Sequence, residues 1–181
     1  MILPIYTYNH PVLKEKTSHI ADMSDELRQF IDSMFLTMRH ARGIGLAANQ
    51  VGKGLAVTVI DISDMDDEGG NVAPMVLINP VIEAYSDEED EFEEGCLSLP
   101  DFHDVVVRPS AIQVRFLDAD FKEHVREADG LLARVMQHEI DHLNGIYFFE
   151  RLSPIRKTLA SGKLKRIARG DIEPAYEIFR G

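Results

Sequence analysis

A chain of 181 residues and 20.4 kDa can bury one sizeable hydrophobic core and is short for two, so a single domain over residues 1–181 is expected. Its 45% hydrophobic and 28% charged residues exclude global disorder. The net charge of −12 is local: residues 64–94 hold twelve acids and no Lys or Arg, and removing those twelve from the 31 acids leaves 19 to balance the 19 bases elsewhere. A uniformly cationic DNA or RNA binder is thereby excluded, because phosphate neutralisation needs a basic surface. The one cysteine, Cys96, allows no intrachain disulfide and points to a reducing, cytoplasmic setting. Met1-Ile2-Leu3-Pro4-Ile5-Tyr6 has the features of neither a secretory signal nor a transit peptide. The longest apolar run, 72–82, is too short to span a bilayer and is interrupted by Pro74, Asn79 and Pro80, so no membrane association is expected.

In chain order, Ser24 is an N-cap candidate, and Asp25 and Glu26 favour the positive end of a helix behind it. Leu27, Phe30, Ile31, Met34, Phe35 and Met38 recur at helical spacing, which predicts an amphipathic helix to about Ala41, ended by Gly43 and Gly45. Residues 55–60 are β-rich, and 64–71, with Gly69-Gly70, read as a turn or exposed loop. Two short strands follow at 75–78 and 81–85, bent at Asn79-Pro80, and then the acidic stretch 87–94, a solvated loop or edge strand. The alternation over 104–108, 111–117 and 121–127 predicts an antiparallel meander. Asp129 then caps a second helix over 130–143 with Leu131, Leu132, Val135, Met136, Ile140 and Leu143 as its buried stripe, stopped at Gly145 in a left-handed conformation. Residues 146–149 read as a short strand, and Ser153-Pro154 opens a third helix towards Ala168. The expected class is α+β, with antiparallel sheets packed around a central helix flanked by N- and C-terminal helices.

The central helix carries His138-Glu139-Ile140-Asp141-His142, an H-E-x-x-H pattern. Histidines four apart share one helical face, so both imidazoles can reach one metal ion. Glu139, rotated by about 100° from His138, can touch a metal-bound water without being a ligand. The longer pattern with a third histidine fails at Phe148, which excludes that peptidase class. A third ligand then comes from Cys96 or from a glutamate farther along, with Glu150, Glu173 and Glu177 as candidates. Gly43-Ile44-Gly45-Leu46-Ala47-Ala48 also satisfies G-x-G-x-x-A, but the order helix, glycines, strand is the reverse of a dinucleotide site. The glycines instead suit an open backbone segment to which an extended peptide can add as a strand.

Gly43-Ile44-Gly45-Leu46-Ala47-Ala48-Asn49-Gln50, Glu94-Gly95-Cys96-Leu97-Ser98 and Gln137-His138-Glu139-Ile140-Asp141-His142-Leu143-Asn144-Gly145 closely resemble the three signature motifs of peptide deformylases, in the same order. The resemblance extends over essentially the whole chain and, with Leu99-Pro100 after the second motif, is nearer the shorter bacterial type than forms with large insertions. It implies hydrolysis of the N-formyl group from the initiator methionine of nascent proteins, releasing formate. It implies a divalent metal on Cys96, His138 and His142, Fe(II) as the native ion, with Zn, Ni or Co able to take its place. A metal-bound water would be the nucleophile, Glu139 the general base and acid, and the Gln50 amide and Leu97 N–H the stabilisers of the oxyanion. Ile44, Leu131 and Val135 would line the methionine pocket, unless the latter two are ordinary core, and backbone groups of Ile44, Gly45 and Gly95 would pair with the peptide. Arg134 sits beside this pocket on the helix and is expected to snorkel over its rim or face solvent.

Arg151, Arg156, Lys157, Lys163, Lys165, Arg166 and Arg169 are seven bases with no acid among residues 151–170. They are a solvated helix face or a docking surface for ribosomal RNA near the exit tunnel. Three other classes differ by test. A glutamate-liganded peptidase would not need Cys96, a Cys96–His hydrolase would survive chelation, and a nonenzymatic metal module would show no turnover.

Overall fold

The computed structural model describes residues 1–65 and 72–180. The turn expected at Gly69-Gly70 lies outside the described residues. Helix α1 spans Asp25–His40, and the Ser24 side chain accepts the Leu27 N–H, as a capping serine should. The helix stops before the glycines: Arg42 takes the left-handed conformation (φ 57°) and the Gly43 N–H closes onto the Met38 carbonyl. The chain then enters β1 (Gly45–Ala47), a strand too short for any periodicity to announce, and a 3₁₀ turn at Ala48–Val51.

Strands β2 (Val57–Ile60), β3 (Met75–Tyr85), β6 (Ala111–Leu117) and β7 (Glu123–Asp129) join β1 in a five-stranded antiparallel sheet of order β1-β2-β3-β6-β7. The two strands expected at 75–78 and 81–85 are one strand with a shift of register between Ile78 and Val81. Asn79, at φ 51°, makes the bend, and its side chain pairs with both the N–H and the carbonyl of Ile20. Among the described residues, a second sheet consists of β4 (Glu89–Cys96) and β5 (Leu99–Pro109). The expected three-strand meander is therefore split: β5 pairs backwards with the acidic strand β4, while β6 pairs with β3 and β7. Alternation marks each strand but carries no information about which neighbour it chooses. The acidic stretch is the edge strand of the two alternatives, and its ladder with β5 shifts register between Gly95 and Cys96, next to Pro100.

Helix α2 (Gly130–Leu143) starts directly after β7, with Asp129 at the N-cap position but without a capping hydrogen bond from its side chain. It ends before Gly145, whose φ of 72° is the left-handed stop expected there. Twelve of its fourteen residues are buried, Arg134, Gln137, His138, Glu139, Asp141 and His142 among them. It is thus a central helix with no wet face, and each of its polar groups needs a partner. Residues 146–149 do not form the expected strand; Phe148–Arg151 is a 3₁₀ turn, held by the Tyr147 N–H on the Glu150 carboxylate. Helix α3 (Pro154–Ala168) begins with Pro154 at its first position, and Ala160, Leu164 and Ile167 bury against Leu13, Phe102 and Phe148. The remaining chain returns to the N-terminal segment, where Ile5 bridges Ile178 in parallel. Among the described residues, no helix is long and apolar enough to cross a membrane.

Candidate active site

Cys96 ends β4, and His138 and His142 stand one turn apart on α2 where that helix passes the β4–β5 hairpin. Cys96 Sγ lies 3.2 Å from His142 Nε2, which lies 3.2 Å from His138 Nε2, and the three donor atoms fall within 4.8 Å of one another. Donors about 3.3–3.6 Å apart are what a tetrahedral ion at thiolate and imidazole bond lengths requires, so the set fits a divalent cation with one position left open. Glu150 bonds Lys14 and the Tyr147 N–H, and Glu173 bonds Arg180; the cluster contains neither.

The His138 ring is oriented from behind, since Nδ1 lies 2.8 Å from Glu94 Oε2 and Nε2 is left facing the cluster. Glu94 is gripped on both oxygens by Arg108 (2.7 and 2.9 Å), and Arg108 also bonds Asp141 at 2.6 Å. Arg151 reaches the same aspartate from the outer side at 2.6 Å. Arg134 is not at the rim, as expected, but 95% buried. It donates to Glu94 Oε1, to the Val106 carbonyl and to the Asp90 carbonyl, with its guanidinium 5.0 Å from the Phe92 ring centre. On a helix without a wet face, a snorkelling arginine has nowhere to go.

These charges set the protonation of the site. Burial alone would push the Glu94 carboxyl up, but His138 and Arg108 hold it well below the usual carboxylate range. Burial alone would pull the His138 imidazole down, whereas hydrogen bonds and charge from Cys96 and Glu94 push it up to about 10. Burial, and then the positive charge of His138 and Arg108, hold His142 well below its ordinary value. Glu139 is displaced mainly by burial, opposed by His138, to about 7, and its Oε2 is a buried acceptor without a partner among the described residues.

Gly45 belongs to this arrangement sterically. A Cβ there would press on Glu139 Oε1 and lie 2.7 Å from Cδ, so only glycine leaves room for the carboxylate. The Gln50 side chain is buried, and its orientation is fixed by the Ala47 N–H, which donates to Oε1 at 2.9 Å. Its NH₂ therefore faces Ser98 Oγ (3.1 Å) and Cys96 Sγ (3.5 Å). Leu97 occupies the two-residue turn between β4 and β5, beside Cys96.

A cleft of about 500 Å³ opens beside the donors, lined by Ile44, Leu131, Val135 and Arg134, by Gly45 and Gly95, and by Cys96, Leu97, His138, Glu139 and Gln50. Leu131 and Val135 also pack on the cluster of Leu132, Met136 and Ile140, so core and lining are the same residues. All eleven residues expected from the sequence come together here. Glu94, Arg108, Asp141 and Tyr176 were not expected. Glu94 carried a signal in its place two residues before Cys96, whereas nothing local marks Arg108 or Tyr176.

The Polypeptide deformylase family model matches residues 2–158 of this chain. The peptide deformylase of Salinibacter ruber is 42% identical, over 98% of this chain and 94% of that protein, and that of Cytophaga hutchinsonii is 45% identical, over 98% and 97%. The chain belongs to the peptide deformylase family. The crystal structure of a family member from Legionella pneumophila superposes with a TM-score of 0.84 at 38% identity, covering 94% of this chain and 98% of that one. A plant peptide deformylase superposes with a TM-score of 0.85 at 31% identity, covering 97% and 96%. The expected α+β class and deformylase activity are thereby shown.

Proposed function

We propose that residues 1–181 act as one catalytic unit that removes the formyl group from the initiator methionine of nascent polypeptides, and that Cys96, His138 and His142 hold a divalent metal for this reaction. The observation that carries the reading is the convergence of three donor atoms beside the unpartnered carboxylate oxygen of Glu139. When bound there, a divalent cation supplies Lewis acidity, lowering the pKa of a water to about 7 and polarising a carbonyl oxygen. The remaining roles belong to side chains. Glu139, poised near neutrality and shielded from bulk solvent, takes a proton from the attacking water as its oxygen bonds to the formyl carbon. It returns the proton to the nitrogen as the C–N bond breaks, leaving formate and a free amine. The oriented Gln50 NH₂ and the Leu97 N–H donate to the oxygen that gains charge, each donor of this kind lowering the barrier by about 2.7–4 kcal/mol.

Ile44, Leu131 and Val135 give the cleft an apolar wall for a methionine side chain. The β1 edge strand can accept an extended peptide through the backbone of Ile44 and Gly45, with Gly95 opposite. Of the seven bases in 151–170, Arg151 and Arg156 are engaged by Asp141 and Asp104, so docking on ribosomal RNA would rest on the other five. A cytoplasmic setting suits a lone thiolate retained as a ligand.

Fe(II) is the proposed native ion. Protein reconstituted anaerobically with iron is expected to lose activity on exposure to air, as a thiolate-bound ferrous site should, while nickel- and cobalt-loaded protein keeps it. Equal persistence of all three forms in air contradicts the assignment of iron.

A further inference from the structure

We infer that the C-terminal tail, residues 171–180, completes the active site, with Tyr176 as the positioning residue for the Leu97 turn; this deepens the reading above and rests on it. The tail lies outside the matched family region, residues 2–158. It is nevertheless anchored. The Ile5 N–H donates to the Glu177 carbonyl at 2.9 Å, the Phe179 N–H donates to the Ile5 carbonyl at 2.8 Å, and the Phe179 ring stacks on Tyr6 with centres 4.2 Å apart. The same N-terminal segment grips both loops of the site: the Tyr6 N–H donates to the Gln50 carbonyl and the Tyr8 N–H to the Ser98 carbonyl, each at 2.8 Å.

Tyr176 adds the third grip. Its hydroxyl donates to the Leu97 carbonyl at 2.7 Å, and its half-buried ring lines the peptide cleft. The Leu97 carbonyl lies in the Leu97–Ser98 peptide plane, and because the turn has just two residues between paired strands, fixing that plane restricts the Leu97 φ and ψ through which the preceding plane presents the Leu97 N–H. The Leu97 side chain packs on the core cluster that includes Ile5 and Leu46, as the Tyr176 ring does. Burial pushes the Tyr176 hydroxyl pKa up, so it stays a donor throughout the neutral range. Gln50, Leu97 and Ser98 are thus tied to one brace built from both chain ends, and a donor aimed at developing charge loses effect when its plane tilts.

Tyr176→Phe keeps the ring and removes the grip. In metal-loaded full-length protein it is expected to lower kcat about tenfold while KM stays within about twofold, the signature of a group needed in the transition state alone. In the metal-free protein the Leu97 amide is expected to exchange faster with solvent while the melting temperature and subsequent metal uptake are unchanged. Tyr176→Ala should lose the same kcat and also raise KM for peptides extending beyond methionine, since the ring lines the cleft. Unchanged kcat and unchanged Leu97 exchange in Tyr176→Phe overturn the inference, as does a lowered melting temperature with normal kcat, which marks a merely structural role. Glu139→Ala in the same series separates the two claims. If it loses turnover while Tyr176→Phe does not, the tail inference alone fails; if it keeps turnover, the catalytic reading fails with it.

Discussion

Glu139→Ala is expected to bind one metal per chain and to lose about 10²–10⁴ in kcat, the range over which a positioned general acid and base contributes. The carboxylate is buried against Gly45 and has one oxygen without a partner among the described residues, and Thr58 beside it keeps the Leu46 carbonyl as its acceptor, so the substitution removes the proposed proton carrier at little structural cost. Cys96→Ala should behave oppositely. Two imidazoles on one helix turn remain, but the third proposed donor, 3.2 Å from His142 Nε2, is gone, and metal should dissociate on gel filtration or against a weak chelator. Metal content by elemental analysis and turnover by formate release distinguish the two variants. A Cys96→Ala protein with full metal and full activity would remove the thiolate from the site, and a Glu139→Ala protein with near-normal kcat would remove the base.

Arg108→Met carries the largest expected loss of stability. The side chain of Arg108 is 1% exposed and neutralises Glu94 and Asp141, themselves 4% and 8% exposed. Removing it leaves two carboxylates short of a partner in a site from which water is excluded, and breaking a buried pair in this way costs about 3–5 kcal/mol. Arg134 still reaches Glu94, and Arg151 still reaches Asp141, which places the expected loss at the lower end of that range. The damage should extend to the metal, because Glu94 orients His138 through Nδ1; loss of such a support weakens metal affinity by about 10–100-fold. Urea unfolding of the metal-free protein and chelator competition of the loaded protein read the two effects separately. A wild-type midpoint together with wild-type affinity would show that the arginine is dispensable to both.

The parts of the molecule legible in the sequence are those written by local rules. Ser24 and Asp25 with a 3.6-residue stripe place α1, Ser153-Pro154 places α3, and His138 and His142 declare a shared ligand face because a helix leaves them no other geometry. What depended on distant pairing was illegible. The acidic strand could be seen but not its partner, since Glu94 and Arg108 are fourteen residues apart and become neighbours only through the hairpin. Arg134 looked like a surface residue because helical periodicity reports one packed face, whereas α2 is enclosed on every side. The same enclosure gives the −12 charge a sharper meaning. The acids of β4 before Glu94 are ordinary solvated strand residues, but Glu94 itself is a buried counter-ion that orients the His138 ring. The tail shows the limit most plainly: Tyr176 meets Leu97 across 79 residues, with no pattern between them.

Metal held by Cys96, His138 and His142 is proposed to give this chain its deformylase activity. Formate release from formyl-Met-Ala-Ser, followed with and without a strong chelator and then after metal is restored, tests it most directly. The expected result is turnover that falls to background on chelation and returns on reconstitution with about one equivalent of Fe(II) or Ni(II) per chain. Turnover that survives complete removal of metal, or a fully loaded protein that releases no formate, would contradict it.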